Sequence, residues 1–275
     1  MRFLNLLTLA LAISACGIQV TDEADDVAST DAAPATALPD LAQTLECLPK
    51  GASLTVAHRG TQRGSQYPEN SLEALDALIM HGTLIAEIDV AQTRDGVPIL
   101  FHDGVWNEGS NGAGAVAATE WRRAQTFSLR DTRDRLTDSG VPRLVDYLDR
   151  VDGKLYLEID FKSSADFEQV IDVIEKKDLI EDVILIAYSA GAARKLRRLA
   201  PNAFVSVPAE NYDSIAGPKL AWTGEGRPSN YPLSISRPRR GDAANATLHV
   251  TDTALDLPPV QGLVDPDAFK NCLRN

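Results

Sequence analysis

Between residues 53 and 207 the sequence alternates strand-like and helix-like segments, and no other feature restricts the fold of this chain as strongly. The expected strands cover residues 53–57, 83–91, 97–101, 154–161, 183–187 and 203–207. The expected helices cover residues 71–81, 144–151, 167–177 and 192–199. Such alternation is typical of a parallel β/α architecture. For a chain of 275 residues, it predicts an α/β fold, a closed eight-stranded TIM (β/α)8 barrel.

The part of the chain from 208 to 262 is less regular. It holds many Pro and Gly residues and only weak helical periodicity, although residues 220–223 and 247–250 have the composition of strands. We therefore expect the C-terminal β/α units of the barrel to be shortened or irregular.

The charge balance excludes one large class of function. The formal net charge is -12, whereas a general nucleic-acid binder needs a basic surface to neutralise phosphates. Residues 17–49 contain seven acidic residues and no Lys or Arg. Outside the N-terminus the chain has no long apolar run, which excludes a protein with several membrane spans.

The N-terminus has the pattern of an export signal. Arg2 precedes an apolar stretch over 3–13, and small residues lead to Cys16. The run Ile13-Ser14-Ala15-Cys16 resembles the lipobox of bacterial lipoproteins, which implies a signal peptide over 1–15, cleavage before Cys16 and lipidation of that cysteine. An ordinary signal peptide with a nearby free cysteine is the alternative. Gly17 after the cysteine resembles outer-membrane sorting, so we expect a membrane-anchored exported lipoprotein on the periplasmic or surface side.

A low-complexity segment follows the signal. Residues 16–46 are rich in Ala, Thr, Ser, Pro and Asp and show no periodic apolar face. Such a segment cannot bury enough surface to offset its chain entropy. We expect a disordered acidic tether, with a propeptide as the alternative, and a folded domain over 47–275.

Two further cysteines flank the expected domain. In a closed barrel the first strand begins and the last helix ends at the same face, which would bring Cys47 close to Cys272. Since disulfides persist in exported proteins, a Cys47–Cys272 bridge is expected. Two unpaired buried thiols are the alternative.

Two of the expected strands carry acidic residues on a single face. In 83–91, Glu87 and Asp89 share one parity, and in 154–161 the residues Glu158 and Asp160 do so, followed by Lys162. Barrel interiors are normally packed with apolar side chains. A divalent cation would relieve the cost of burying these carboxylates, and oxygen ligands favour Ca²⁺ or Mg²⁺. A salt-bridge network among Glu87, Asp89, Glu158, Lys162 and an Arg is the alternative.

Two histidines end strands beside this cluster. His58 follows residues 53–57 and His102 follows 97–101. A pair of imidazoles can divide the work of base and acid, and the guanidinium of Arg59 suits phosphate oxygens. We expect four parallel segments to deliver these groups to one rim of the barrel.

Several short motifs stand in order along the chain. They are His58-Arg59-Gly60, Pro68-Glu69-Asn70-Ser71, Glu87-Ile88-Asp89-Val90, His102-Asp103 and Asp160-Phe161-Lys162. As an ordered set they resemble the glycerophosphodiester phosphodiesterases, strongly from about 53 to 207 and weakly beyond.

The resemblance implies roles for these residues in a TIM barrel that hydrolyses phosphodiesters. It implies that His58 and His102 are the acid/base pair. It implies that Arg59 and Lys162 bind the phosphate. It also implies that Glu69 and Asn70 orient the substrate or support the residues that contact it. It implies that the metal ligands for one divalent cation, Ca²⁺ or Mg²⁺, are Glu87, Asp89 and the acidic residue of the 154–161 strand.

One position departs from the family pattern. The family usually has Glu two residues before the Lys of this strand, where this chain has Asp160. Glu158 is therefore an alternative ligand. A related branch of phospholipase D-like enzymes, which act on sphingomyelin and lysolipids, resembles this chain in using Asp there.

The expected function is metal-dependent hydrolysis of small glycerophosphodiesters to glycerol 3-phosphate and an alcohol. The alternatives are phospholipase D-like cleavage of lysophospholipids or sphingomyelin, and a catalytically inactive binding protein tethered at the surface. A serine hydrolase is disfavoured because the sequence has no G-x-S-x-G. The expected partners are the small phosphodiester or lysolipid and, through the lipid anchor, a membrane, with no nucleic acid.

Overall fold

A computed structural model describes residues 37–215, 219–223, 230–234 and 247–274 of the chain. The expected signal peptide, Cys16 and most of the expected tether lie outside these residues. Within the described ranges, no helix has the length and apolar character needed to cross a membrane.

Eight of the described strands form a closed ring. In the order of hydrogen-bonded neighbours they are β1 (Ser53–Ala57), β2 (Ile85–Gln92), β6 (Tyr156–Phe161), β7 (Val183–Ile186), β8 (Phe204–Pro208), β9 (Leu220–Thr223), β10 (Asn230–Ser234) and β11 (Leu248–Thr251). β1 pairs in parallel with β2 on one side and with β11 on the other, which closes the ring. The prediction of a TIM-like α/β barrel is confirmed.

The irregularity expected near the C-terminus is also present. β10 runs antiparallel to both β9 and β11, whereas a regular TIM barrel has parallel strands throughout. Among the described residues after β8, a 3₁₀ segment over Ala209–Ser214 takes the place of the crossover helix before β9. The next described α-helix is α7 (Pro266–Leu273).

The prediction that residues 97–101 form a parallel strand is wrong. β3 (Pro98–Leu100) lies within the expected segment 97–101, but it pairs antiparallel with β2. Only a short turn separates the two strands, and a parallel connection needs a crossover of about a dozen residues or more. β2 and β3 therefore form a β-hairpin. His102 follows β3 and still lies at the end of the barrel where β2 ends, because β3 pairs with the last residues of β2.

Helices and an insertion surround the ring. The remaining helices are α1 (Leu41–Cys47), α2 (Leu72–His81), α3 (Trp121–Ala124), α4 (Leu144–Val151), α5 (Phe167–Glu175) and α6 (Ala190–Leu199). The remaining strands are β4 (Ser128–Arg130) and β5 (Leu136–Gly140), which form a hairpin, and β12 (Val260–Gln261), which pairs with β1. The outward side chains of the ring, such as Ile88 and Ile159, pack against Leu75 and Leu144 of the helices.

The inner face of the ring changes character along its length. Its lower layers are apolar and include Val56, Ile85 and Tyr156. Two residues further along β2 and β6, Glu87 and Glu158 are also buried. The predicted parity of these strands is therefore confirmed, with the apolar set outside and the acidic set inside.

α1 and α7 close the end of the barrel at which the strands begin. Leu41 and Phe269 belong to the same apolar cluster as the lower barrel layers. Cys47 and Cys272 form a disulfide with a Cα–Cα distance of 5.7 Å, the pairing that was expected. The prediction that the disordered tether reaches residue 46 is wrong. Residues 41–47 are helical because Leu41 gains an apolar partner surface that local composition does not reveal.

Candidate active site

Four acidic side chains line the inner face of two neighbouring strands. β2 and β6 are parallel, and their register sets Glu87 beside Glu158 and Asp89 beside Asp160. All four are buried. One carboxylate oxygen from each of Glu87, Asp89 and Asp160 lies within 4.8 Å of the others. Glu158, one step nearer the start of β6, does not belong to this group of described residues.

The acidic cluster has an excess of negative charge. Desolvation, reinforced by Asp89, raises the pKa of Glu87 well above its ordinary value. Desolvation and the nearby Asp160 raise the pKa of Glu158 to about 8. Within the described part of the chain, Asp160 Oδ1 and both carboxyl oxygens of Glu158 have no hydrogen-bond partner. The clustered carboxylates of Glu87, Asp89 and Asp160 fit a hard divalent cation, because such an ion would supply the missing positive charge and a partner for Asp160 Oδ1.

Lys162 provides part of the counter-charge. Its Nζ atom is 2.6 Å from Asp89 Oδ1 and 2.7 Å from Asp160 Oδ2. Burial alone would lower the pKa of Lys162, but the two carboxylates raise it above its ordinary value. The ion pairs left open by the sequence are thus present, yet one ammonium group does not balance three clustered carboxylates.

Backbone turns hold two of the carboxylates in place. The Arg59 amide donates to Glu87 Oε2 at 2.7 Å. Asn70 donates through Nδ2 to Asp89 Oδ2 at 2.8 Å and accepts from the Asp89 amide at 2.9 Å. Arg59 and Asn70 have φ values of 53° and 59°, a left-handed conformation that costs roughly 1–3 kcal/mol for such residues. These two hydrogen bonds fix the Asp89 carboxylate relative to Asn70.

Two observations show why residue 60 is a glycine. Its φ is 60°, and a Cβ atom there would lie 2.9 Å from the hydroxyl of Tyr147. A larger residue would strain the turn that carries His58 and Arg59 and would push against the buried Tyr147. This explains why glycine completes the His-Arg-Gly motif.

Both histidines lie at the same end of the barrel, and each has an aspartate at Nδ1. His58 Nδ1 is 2.6 Å from Asp252 Oδ1, and His58 Nε2 is 4.0 Å from Glu87 Oε2. His102 Nδ1 is 2.8 Å from Asp103 Oδ1. The hydrogen bond from His102 lowers the pKa of Asp103. Both side chains are about one-quarter to one-third exposed, so a substrate can reach them.

An open groove runs over this end of the barrel. One cavity of about 260 Å³ is lined by His58, Arg59 and Glu69, among others. A second, of about 330 Å³, is lined by His102 and also by Arg59 and Glu69. Arg59 Nη1 donates to Glu69 Oε2 at 2.9 Å, so Glu69 holds the guanidinium between the two cavities. The two cavities thus bring both histidines and the Arg59 guanidinium to one groove.

Two partners of the predicted residues were not expected from the sequence. Asp252 contacts His58, and the hydroxyl of Tyr188 donates to Asp160 Oδ2 at 2.9 Å. Both residues follow a barrel strand, β11 and β7 respectively, on the side where the other functional groups stand. That position is the signal that could have found Tyr188. Asp252 lies in the part of the sequence where the elements were least certain.

Comparison with known proteins identifies the family. The profile of the glycerophosphoryl diester phosphodiesterase family matches residues 58–206, more than half of the chain. The chain belongs to this family. It is 30% identical over 181 residues to a probable glycerophosphodiester phosphodiesterase 2 of Mycobacterium tuberculosis, a match that covers 66% of this chain and 63% of the relative.

Other relatives and solved structures agree with this assignment. A glycerophosphodiester phosphodiesterase of Caldanaerobacter subterraneus is 24% identical over 165 residues, 54% of this chain and 64% of that protein. The crystal structure of a glycerophosphoryl diester phosphodiesterase from Parabacteroides distasonis superposes with a TM-score of 0.56 at 27% identity, over 62% of this chain and 60% of that one. The matches to these two curated relatives each span slightly less than two thirds of the relative's length.

Proposed function

We propose that this chain hydrolyses small glycerophosphodiesters to glycerol 3-phosphate and an alcohol. The observation that carries the proposal is the meeting of three buried carboxylates, one phosphate-suited guanidinium and two histidines at one end of the barrel. The names of the related family members support the same substrate class. We further propose that Glu87, Asp89 and Asp160 hold one divalent cation, Ca²⁺ or Mg²⁺.

The charged groups would bind the phosphodiester and offset the charge that builds on its oxygens. A bound divalent cation would polarise the phosphoryl group as a Lewis acid. Arg59, held by Glu69, offers a fixed fork of N–H donors to the phosphate. Lys162 supplies a second positive charge in a partly buried setting, where it acts more strongly than in water.

The two histidines would move the protons. One imidazole accepts the proton of the attacking hydroxyl, from water or from the neighbouring glycerol hydroxyl, as the new P–O bond forms. The other donates a proton to the alcohol oxygen as the old P–O bond breaks. When the glycerol hydroxyl attacks, the alcohol leaves and a cyclic phosphodiester forms, which one water must then open to glycerol 3-phosphate. By either route, one water is consumed and one phosphomonoester and one alcohol are released.

A substrate panel tests the proposal. Glycerophosphocholine, lysophosphatidylcholine and sphingomyelin are each incubated with the purified chain, and glycerol 3-phosphate and choline are measured separately. We expect both products from glycerophosphocholine. Choline released mainly from the two lipids would instead favour the phospholipase D-like function, for which Asp160 in place of Glu is the supporting observation. An absence of hydrolysis with Ca²⁺, Mg²⁺ or Mn²⁺ supplied would leave a binding protein.

We also propose that the chain acts outside the cytoplasm as a lipoprotein anchored at Cys16. The signal-like pattern over 1–16 supports export, and a disulfide between Cys47 and Cys272 suits an oxidising compartment. In a bacterial host, the wild-type chain should fractionate with membranes and the Cys16→Ala variant should not. Equal recovery of both in the soluble fraction would refute the anchor.

A further inference from the structure

Asp252 holds one of the two histidines from the far end of the sequence. Its Oδ1 atom lies 2.6 Å from His58 Nδ1, and the two residues are 194 positions apart. Only 14% of the Asp252 side chain is exposed. We infer that Asp252 is a positioning residue for His58, an inference that rests on the proposed function of this site.

The chemistry of the contact sets the form of the imidazole. An ionised carboxylate only accepts hydrogen bonds, so the proton of a neutral His58 stays on Nδ1. Nε2 then carries the lone pair on the side of the carboxylate cluster, 4.0 Å from Glu87 Oε2. The same carboxylate stabilises the imidazolium that forms when His58 takes a proton.

The fold gives Asp252 a fixed place. β1 and β11 are parallel with Ala57 opposite Thr251, so the residues that follow these strands, His58 and Asp252, are neighbours by register. Arg63 adds two contacts. Its Nη2 lies 3.0 Å from Asp252 Oδ2, and its backbone amide donates to the Asp252 carbonyl at 2.7 Å. The carboxylate is thus held on both sides before any substrate arrives.

Asp252 lies beyond residues 58–206, the segment that the family profile matches. The corresponding partner of His102 is Asp103, the next residue in the chain. The two histidines therefore obtain equivalent partners by different routes, one from the adjacent residue and one from closure of the barrel.

Steady-state kinetics of Asp252→Ala and Asp252→Asn on glycerophosphocholine test the inference. We expect kcat to fall by roughly 10²- to 10⁴-fold, the usual contribution of a general acid or base. KM should change much less, because both carboxylate oxygens of Asp252 are already engaged, by His58 and Arg63. Asp252→Glu should recover part of the loss. Asp256→Asn, an exposed acid on the same loop that accepts from Gln62, is the matched control and should keep the wild-type kcat.

The tautomer of His58 gives a readout that does not depend on turnover. Long-range ¹H–¹⁵N spectra of the full chain labelled at histidine should show neutral His58 protonated at Nδ1 in the wild type and at Nε2 in Asp252→Ala. A folded Asp252→Ala variant with unchanged kcat, or an Nε2-protonated His58 in the wild type, would overturn the inference. A wild-type chain without hydrolase activity would overturn the proposed function, while the spectra would still decide the role of Asp252.

Discussion

Replacing His58 or His102 with alanine should lower kcat by about 10²- to 10⁴-fold, the usual contribution of one general acid or base. Each imidazole is partly exposed to the groove, and each is oriented through Nδ1 by an aspartate. Removing either ring leaves the carboxylate cluster and Arg59 in place. Substrate binding should therefore change much less than turnover, and the measurement is kcat and KM on glycerophosphocholine.

A second substrate separates the acid from the base. A p-nitrophenyl phosphodiester has a leaving group that departs without protonation. The variant that lacks the acid should therefore recover most of its rate on this substrate, whereas the variant that lacks the base should not. Equal losses for both variants on both substrates would contradict a division of roles.

Two controls accompany the histidine variants. His81 lies at the end of α2, where its Nδ1 contacts Thr83, and His81→Ala should leave kcat unchanged. The double variant of His58 and His102 should have a kcat only slightly below that of the less active single variant. The reason is that groups that act as a unit have non-additive effects. Near-native rates in either single variant would refute the proposed roles.

Chelation should abolish hydrolysis, and Mg²⁺ or Ca²⁺ should restore it. The reason is the negative charge of the carboxylates buried on the inner face of β2 and β6, which Lys162 neutralises only in part. The same ion should also stabilise the fold, since it binds the folded state only. At 100 times its Kd the gain is about 2.7 kcal/mol, measurable as a rise in Tm.

Single substitutions identify the ligands. Asp89→Asn and Asp160→Asn should weaken cation binding by more than the roughly 10- to 100-fold typical of residues that only orient a ligand. Glu158→Gln is the matched control, because Glu158 is as buried but lies outside the cluster of three. Calorimetric titration of each variant with Mg²⁺ and Ca²⁺ is the measurement. If Glu158→Gln loses the ion and Asp160→Asn keeps it, Glu158 is the ligand and our assignment is wrong.

The sequence was sufficient for the barrel and for the two acidic strands. Alternation of period 2 places Glu87 and Asp89 on the face opposite Ile88, and any parallel barrel turns one of these faces inward. Register then brings β6 beside β2, and no detail of the loops is needed. For this reason the predicted carboxylates meet in the structure.

Contacts that depend on how the ring closes could not be predicted in this way. Asp252 reaches His58 only because β11 pairs with β1. The predicted closed barrel did not specify which late segment would close the ring, because the elements after residue 208 were poorly defined. The antiparallel direction of β3 could have been predicted, because the connection between β2 and β3 is too short for a parallel crossover. The helix at 41–47 was missed because its buried face is defined by the barrel end that it covers.

The two parallel neighbours of β1, β2 and β11, lie far apart along the chain. A chain that folds from its N-terminus can pair β1 with β2 early, but the edge of β1 that faces β11 stays open until residues 248–251 are available, long after β2. An open parallel edge is a site for wrong pairing and aggregation, and contacts of such long range slow folding. Assembly of the catalytic end should thus be among the last events of folding, and a chain cut short of Asp252 should keep nearly every motif residue yet lack a completed ring.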